Sequence, residues 1–160
     1  GIISLALDRS GDRLAAGTLD GNIRVWSVGD RGVKSPLLRS EGGRAYALAF
    51  SPDGRWLAGG GEDGQVFLFD GWDGDRAPSR ILTGGNGKIG ALRFDRQGQR
   101  LAAGLADGDI VVWDWRDAEI APEILTGHTA SVTSIDFSPD DSLLCSSSLG
   151  ASTGRGKLKA

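Results

Sequence analysis

The feature that most constrains this chain is that its pattern returns at a fixed interval. GDRLAAGTLDGNIRVWS, from Gly11 to Ser27, comes back as GRWLAGGGEDGQVFLFD from Gly54 to Asp70 and as GQRLAAGLADGDIVVWD from Gly98 to Asp114. The pairs Asp20-Gly21, Asp63-Gly64 and Asp107-Gly108 are spaced by 43 and 44 residues, and Trp26, Phe69 and Trp113 keep those spacings. Just upstream, Leu7, Phe50, Phe94 and Phe137 occupy one column of the same alignment, so SVTSIDFSPDDSLLCSSS is the start of a fourth copy. A unit of ~40 residues cannot bury its apolar face alone, so such a period implies units stacked on one another.

Within each unit the pattern reads as short strands. AYALAF alternates with period two, placing Tyr46, Leu48 and Phe50 on one face, and the SPDG that follows is a turn signal. A second strand of the RLAAG type runs to the Asp-Gly pair, a hairpin signal whose primed turn asks for positive φ at both central residues. The third strand carries the aromatic, as in NIRVWS, FLFD and IVVWD. A shorter fourth strand is expected near Pro36 to Arg39, Ser79 to Thr83 and Glu123 to Thr126. The 26 glycines in 160 residues fit a chain with this many tight turns.

Composition narrows the function classes. A net charge of −3 carries no basic footprint for nucleic acid. The single cysteine, Cys145, supports neither an internal disulfide framework nor a cysteine zinc site. No apolar run approaches the ~20 residues of a membrane helix, and GIISLALDRS has no signal-peptide features. The expectation is a soluble, cytoplasmic protein with no membrane partner. A chain that lacks methionine and opens on a strand also reads as a segment of something longer.

A period near 43 residues, four strands per period, the Asp-Gly turns, Trp113-Asp114 and Gly127-His128 together resemble the WD-repeat β-propeller family, over about Ile2 to Leu149. The resemblance implies an all-β propeller segment of four-stranded antiparallel blades, with repeats at about 1–41, 42–83 and 84–125, a partial one at 126–150, and a disordered, non-repeat tail at 151–160. It also implies a hydrogen-bonded tetrad inside a blade, joining a Gly-His histidine, a second-strand Ser or Thr, the turn Asp and the third-strand Trp. His128 and Ser148 would be members in the fourth repeat, and Thr18, Asp20 and Trp26 in the first. Gly85 stands where the third repeat would have its histidine and Phe69 replaces Trp in the second, so apolar packing is expected to replace the polar network.

Catalytic and ligand motifs fail on context. GASTG, at 150–154, lacks a following acid or histidine, and only six residues remain after it. GNGKIG, at 85–90, enters a strand instead of a helix, so it is no phosphate cradle. DGWDGD, at 70–75, lacks calcium-loop spacing. No cofactor, metal or catalytic residue is therefore expected, and His128 is read as scaffold. Trp26, Phe69 and Trp113 should be core, while Trp72 and Trp115 are expected to pack beneath the loops after the third strand, with exposed anchors for a partner as the alternative.

Family propellers close into rings, whereas this chain supplies three full units and half of a fourth. An arc that left ~500 Å² of apolar surface bare per end would forgo ~12 kcal/mol per face, comparable to the stability of a whole domain. Closure by further blades or by association of two copies is the expected remedy. The resemblance implies a noncatalytic scaffold presenting loops to a protein or peptide, with Arg44, Tyr46, Lys88 and His128 on the face used for binding. A regulatory or sensor region of a larger signalling protein is the alternative. An enzyme with its site in the central channel is disfavoured by the Leu, Ala, Ile and Ser of the first strands.

Overall fold

A computed structural model of the chain describes residues 1–29, 37–39, 43–71, 77–117 and 119–150, together with the backbone of 153–157. All regular elements among them are strands, arranged in four separate antiparallel sheets that follow the repeat. Blade 1 is β1 (Ile2–Leu7), β2 (Arg13–Thr18), β3 (Asn22–Ser27) and β4 (Leu37–Arg39), and blade 2 is β5 (Ala47–Phe50), β6 (Trp56–Gly60), β7 (Val66–Asp70) and β8 (Arg80–Leu82). Blade 3 comprises β9 (Ile89–Phe94), β10 (Arg100–Leu105), β11 (Ile110–Asp114) and β12 (Glu123–Leu125), and blade 4 comprises β13 (Val132–Phe137), β14 (Leu143–Ser148) and β15 (Thr153–Lys157). Each strand pairs with its sequence neighbour, which is the expected blade topology, and the first strands of successive blades lie side by side.

Each blade has two faces, and blades 2 and 3 bury both. The forward face of blade 1, with Ala15, Ile23, Val25 and Leu38, packs on Leu48, Leu57, Phe67 and Phe69 of blade 2. Ala47, Ala49, Ala58, Val66 and Leu68 of blade 2 then meet Ile89, Leu92, Leu101, Val111 and Trp113 of blade 3. Ala102, Ile110 and Val112 in turn meet Val132, Ile135 and Leu144 of blade 4. The core is therefore a series of inter-blade layers, in which small residues on one face receive large ones from the next.

Three details depart from the sequence expectation. The Asp-Gly hairpins are not primed turns: Gly21, Gly64 and Gly108 have φ of 78°, 76° and 99°, while Asp141 is the sole non-glycine at positive φ among the described residues. The Gly21 amide donates to the Thr18 carbonyl at 3.2 Å, so Leu19 and Asp20 take the central positions of an ordinary turn and glycine alone takes the left-handed position. Trp26 is half-buried instead of core, because no blade covers the side of the sheet on which Phe69 and Trp113 are buried in blades 2 and 3. The tail, expected to be disordered, contains β15, whose Arg155 pairs with Cys145 of β14. A strand edge binds backbone regardless of side chain, so pairing there needs no apolar alternation.

Trp115 packs as expected, 3% exposed, with its indole N–H donating to the Gly98 carbonyl at 3.2 Å. Trp72 and most of the DGWDGD stretch lie outside the described residues, as does Pro36.

Candidate functional site

Three of the four candidate binding residues converge. Arg44 and Tyr46 precede β5, Lys88 precedes β9, and the turn between β6 and β7 brings up Glu62, which sequence reasoning missed. Arg44 Nη1 donates to the Tyr46 hydroxyl at 3.1 Å, and that hydroxyl donates to Glu62 Oε1 at 3.0 Å. Arg44 also lies 3.4 Å from Glu62. The hydrogen bond it donates to Tyr46, with the charge of Glu62, holds the Arg44 pKa above its ordinary value. On the other side of the ring, Lys88 Nζ sits 4.0 Å from the Tyr46 centroid, a contact of ~0.5–1 kcal/mol at an exposed site.

Backbone geometry fixes this cluster. The Tyr46 amide donates to the Gly60 carbonyl at 3.0 Å, and the Lys88 carbonyl accepts from the Ala106 amide at 2.9 Å. Both side chains therefore rise from anchored points at the entrance of a first strand. The result is a half-buried aromatic ring with one cation tied to a carboxylate and a second cation in no ion pair among the described residues.

His128 does not join them. Its Nε2 lies 2.8 Å from Ser146 Oγ, two residues before the Ser148 that the family resemblance designates. Both serines lie on one face of β14, since side chains alternate along a strand. In blade 3 the matching residues have been exchanged for packing: a Cβ on Gly85 would run into the Leu105 side chain, and Leu105 is fully buried in the column of Thr18. In that blade a leucine thus fills the space of the missing histidine.

The remaining repeat positions hold the turns and the core. Thr18 Oγ1 donates to the Asn22 carbonyl at 2.8 Å, and Asn22 Nδ2 donates to Asp20 Oδ2 at 2.5 Å. Asp63 and Asp107 accept from the Gln65 and Asp109 amides at 3.2 and 3.0 Å. Phe69 is core, and Trp113 is core with its indole donating to the Thr83 carbonyl at 2.8 Å.

A concavity of about 630 Å³ lies at the opposite ends of the first strands, with Leu7, Phe50, Phe94 and Phe137 among its walls. Its buried carboxylates are engaged in structural bonds. Asp95 accepts from the Gln99 amide at 2.8 Å and from Arg100 Nε at 3.2 Å, and Asp141 accepts from the Arg96 and Gln97 amides at 2.9 and 3.2 Å. No group of three or more metal-ligating side chains is present among the described residues.

The family model described as "WD domain, G-beta repeat" matches residues 1–27, 37–70, 76–114 and 122–152. The later matches open at or before the fourth strand of one blade, so the family unit is offset by one strand from the sheets. Protein HIR1 of Candida albicans is 30% identical, over 38% of this chain and 10% of that protein. Protein HIR1 of Eremothecium gossypii is 31% identical, over 48% of this chain and 11% of that protein. WD repeat-containing protein SL1-17 of Schistosoma mansoni is 30% identical, over 92% of this chain and 48% of that protein. The chain thus spans under half the length of each of these relatives.

Proposed function

The chain belongs to the WD-repeat family, and from that premise we propose a noncatalytic interaction scaffold whose Arg44–Tyr46–Lys88 surface holds a carboxylate-bearing segment of a protein or peptide partner. The observation that carries this reading is Lys88. Its ammonium rests on the Tyr46 ring at 4.0 Å and has no carboxylate of its own among the described residues, while Arg44 is already occupied by Glu62. An incoming carboxylate would meet a positioned cation beside an aromatic platform, a combination suited to acidic peptide segments. His128 shapes the neighbouring loop, its ring nitrogen being taken up by Ser146. The channel reading has weaker support, because Asp95 and Asp141 are committed to backbone amides and to Arg100.

The test uses a fluorescent acidic peptide and its glutamine counterpart as probes. The chain is expected to prefer the acidic peptide, and Arg44→Glu with Lys88→Glu should weaken its binding by at least about tenfold, or ~1.4 kcal/mol. Thermal unfolding should move little, since both side chains are exposed. Equal binding of the two peptides, or binding unchanged by the double substitution, would remove this surface from consideration.

A further inference from the structure

The stretch GNGK, residues 85–88, lies in the loop between β8 and β9 and holds one of the chain's two asparagines. The loop is anchored at both ends: the Thr83 carbonyl accepts from the Trp113 indole at 2.8 Å, and the Ile89 amide donates to the Gly61 carbonyl at 3.0 Å. Between these anchors Asn86, Gly87 and Lys88 are exposed. Neither the Asn86 carboxamide nor the Gly87 amide makes a hydrogen bond among the described residues. Gly87 has φ of 94°, and a Cβ there would meet nothing within 4 Å. Its nitrogen is therefore free, unshielded by a side chain of its own, and next in sequence to a carboxamide.

Asn22 and three of the Asp-Gly turns lack that freedom. Asn22 donates from Nδ2 to Asp20 at 2.5 Å, and the amide that follows belongs to Ile23, fully buried in a strand paired on both sides. The amides of Gly21, Gly54 and Gly108 donate to the Thr18, Ser51 and Leu105 carbonyls at 3.2, 2.9 and 3.3 Å. Nitrogens held in this way are turned from the preceding side chain.

We propose that Asn86-Gly87 is a deamidation site whose product regulates the Lys88 surface. The Gly87 nitrogen attacks Asn86 Cγ; the new Cγ–N bond forms as the Cγ–Nδ2 bond breaks, and Nδ2 leaves as ammonia with the proton from Gly87. Water then opens the resulting succinimide. Addition at Cγ breaks the new bond and gives aspartate, whereas addition at the main-chain carbonyl carbon of Asn86 gives isoaspartate. In both cases a hydrogen of the water returns to the Gly87 nitrogen and the new carboxyl ionises at neutral pH. Nothing is oxidised or reduced, and water is the sole co-reactant.

Either product bears a carboxylate where a neutral amide stood, at most ~7 Å along the chain from Lys88. That is within the ~8 Å over which charges act at physiological salt. In the scaffold reading Lys88 is the cation that an acidic partner meets, and the regulatory consequence rests on that reading. Isoaspartate perturbs the surface further, because it inserts an extra backbone carbon where the loop runs close to the β6–β7 turn: a Cβ on Gly64 would lie 3.1 Å from the Asn86 nitrogen. The surface is open in the newly made chain and closes to acidic segments as the chain ages.

The test follows the full folded chain at mildly alkaline pH by peptide mapping and mass spectrometry. Asn86 should convert to a mixture of aspartate and isoaspartate at a rate close to that in the urea-unfolded chain, while Asn22 stays intact. Equal conversion of the two asparagines in the folded chain, or strong protection of Asn86 by folding, would overturn the site. The aged chain and freshly made Asn86→Asp should each bind the fluorescent acidic peptide about two- to fivefold more weakly than the fresh native chain. Asn86→Gln, whose longer side chain cyclises far more slowly, should keep its affinity through the incubation. An aged chain that binds as tightly as the fresh one, while Arg44→Glu with Lys88→Glu still weakens binding, would refute the regulation and spare the scaffold reading. A fresh chain with no preference for the acidic peptide would overturn the scaffold reading and the regulation together, and the modification would then stand or fall on the mass data.

Discussion

Asp141 interrupts the repeat, and replacing it with the repeat's own residue should harm the protein. Gly11, Gly54 and Gly98 hold the equivalent turn position with φ of 79°, 67° and 68°, whereas Asp141 adopts 58°. By backbone preference alone Asp141→Gly should help, since a non-glycine residue in the left-handed region costs ~1 kcal/mol or more. The carboxylate reverses that sign. It is 4% exposed and reaches across to blade 3, accepting from the Arg96 and Gln97 amides at 2.9 and 3.2 Å. Hydrogen bonds to a charged group contribute ~1.5–3 kcal/mol each; taking the lower end for two bonds near the surface gives ~3 kcal/mol. Subtracting the ~1 kcal/mol of relieved strain leaves a net loss of ~2 kcal/mol. For a domain of this size that corresponds to a fall in Tm of ~4–8 °C. Asp141→Ala, which loses the bonds and keeps the strain, should cost ~3 kcal/mol or more. Urea unfolding of the native chain and both variants checks the order. Amide exchange at Arg96 and Gln97 should also accelerate in each. A glycine variant as stable as the native chain would refute the idea that this carboxylate ties blade 4 to blade 3.

Gly60→Ala should loosen the junction of blades 2 and 3 by ~1–3 kcal/mol, because the new methyl would meet Ile89 Cγ2 at 2.5 Å. A double-mutant cycle with Ile89→Ala should show strong coupling, and simple additivity would mean that the knob is not the obstacle. Acid should weaken blade 4 in a defined window. Hydrogen bonds from Ser138 and then Ser142 hold the Asp140 carboxyl down from 3.8 to about 2, so its contribution is complete above pH 3.8 and is lost as pH falls toward 2. In NMR titrations, Ser138→Ala with Ser142→Ala should return that carboxyl toward its ordinary value and flatten the acid slope of unfolding, whereas an unmoved titration would contradict the assignment.

Strand positions were legible because period-two alternation and turn residues are local, and β4, β8 and β12 fall inside the expected fourth-strand ranges. What was not legible depends on partners distant in sequence. Glu62 is 16 residues from Tyr46, and only the pairing of β5 with β6 brings them together. Trp26 carries the same local signal as Trp113, yet its burial depends on a neighbouring blade. β15 has no apolar period and exists by virtue of the edge that β14 offers. SPDD in place of SPDG was visible as a difference, but its meaning lies 45 residues upstream at Arg96. Of the candidate site, the family resemblance pointed to Arg44, Tyr46, Lys88 and His128; the first three lie together, while His128 belongs to a separate contact with Ser146.

The most direct test of the binding account is chemical-shift mapping of the acidic peptide on the full chain. The account predicts perturbations centred on Arg44, Tyr46, Glu62 and Lys88 that fade as salt screens the exposed charges. Shifts concentrated instead on Phe50, Phe94 and Phe137, with the Tyr46 surface silent, would place recognition in the central hollow and contradict it.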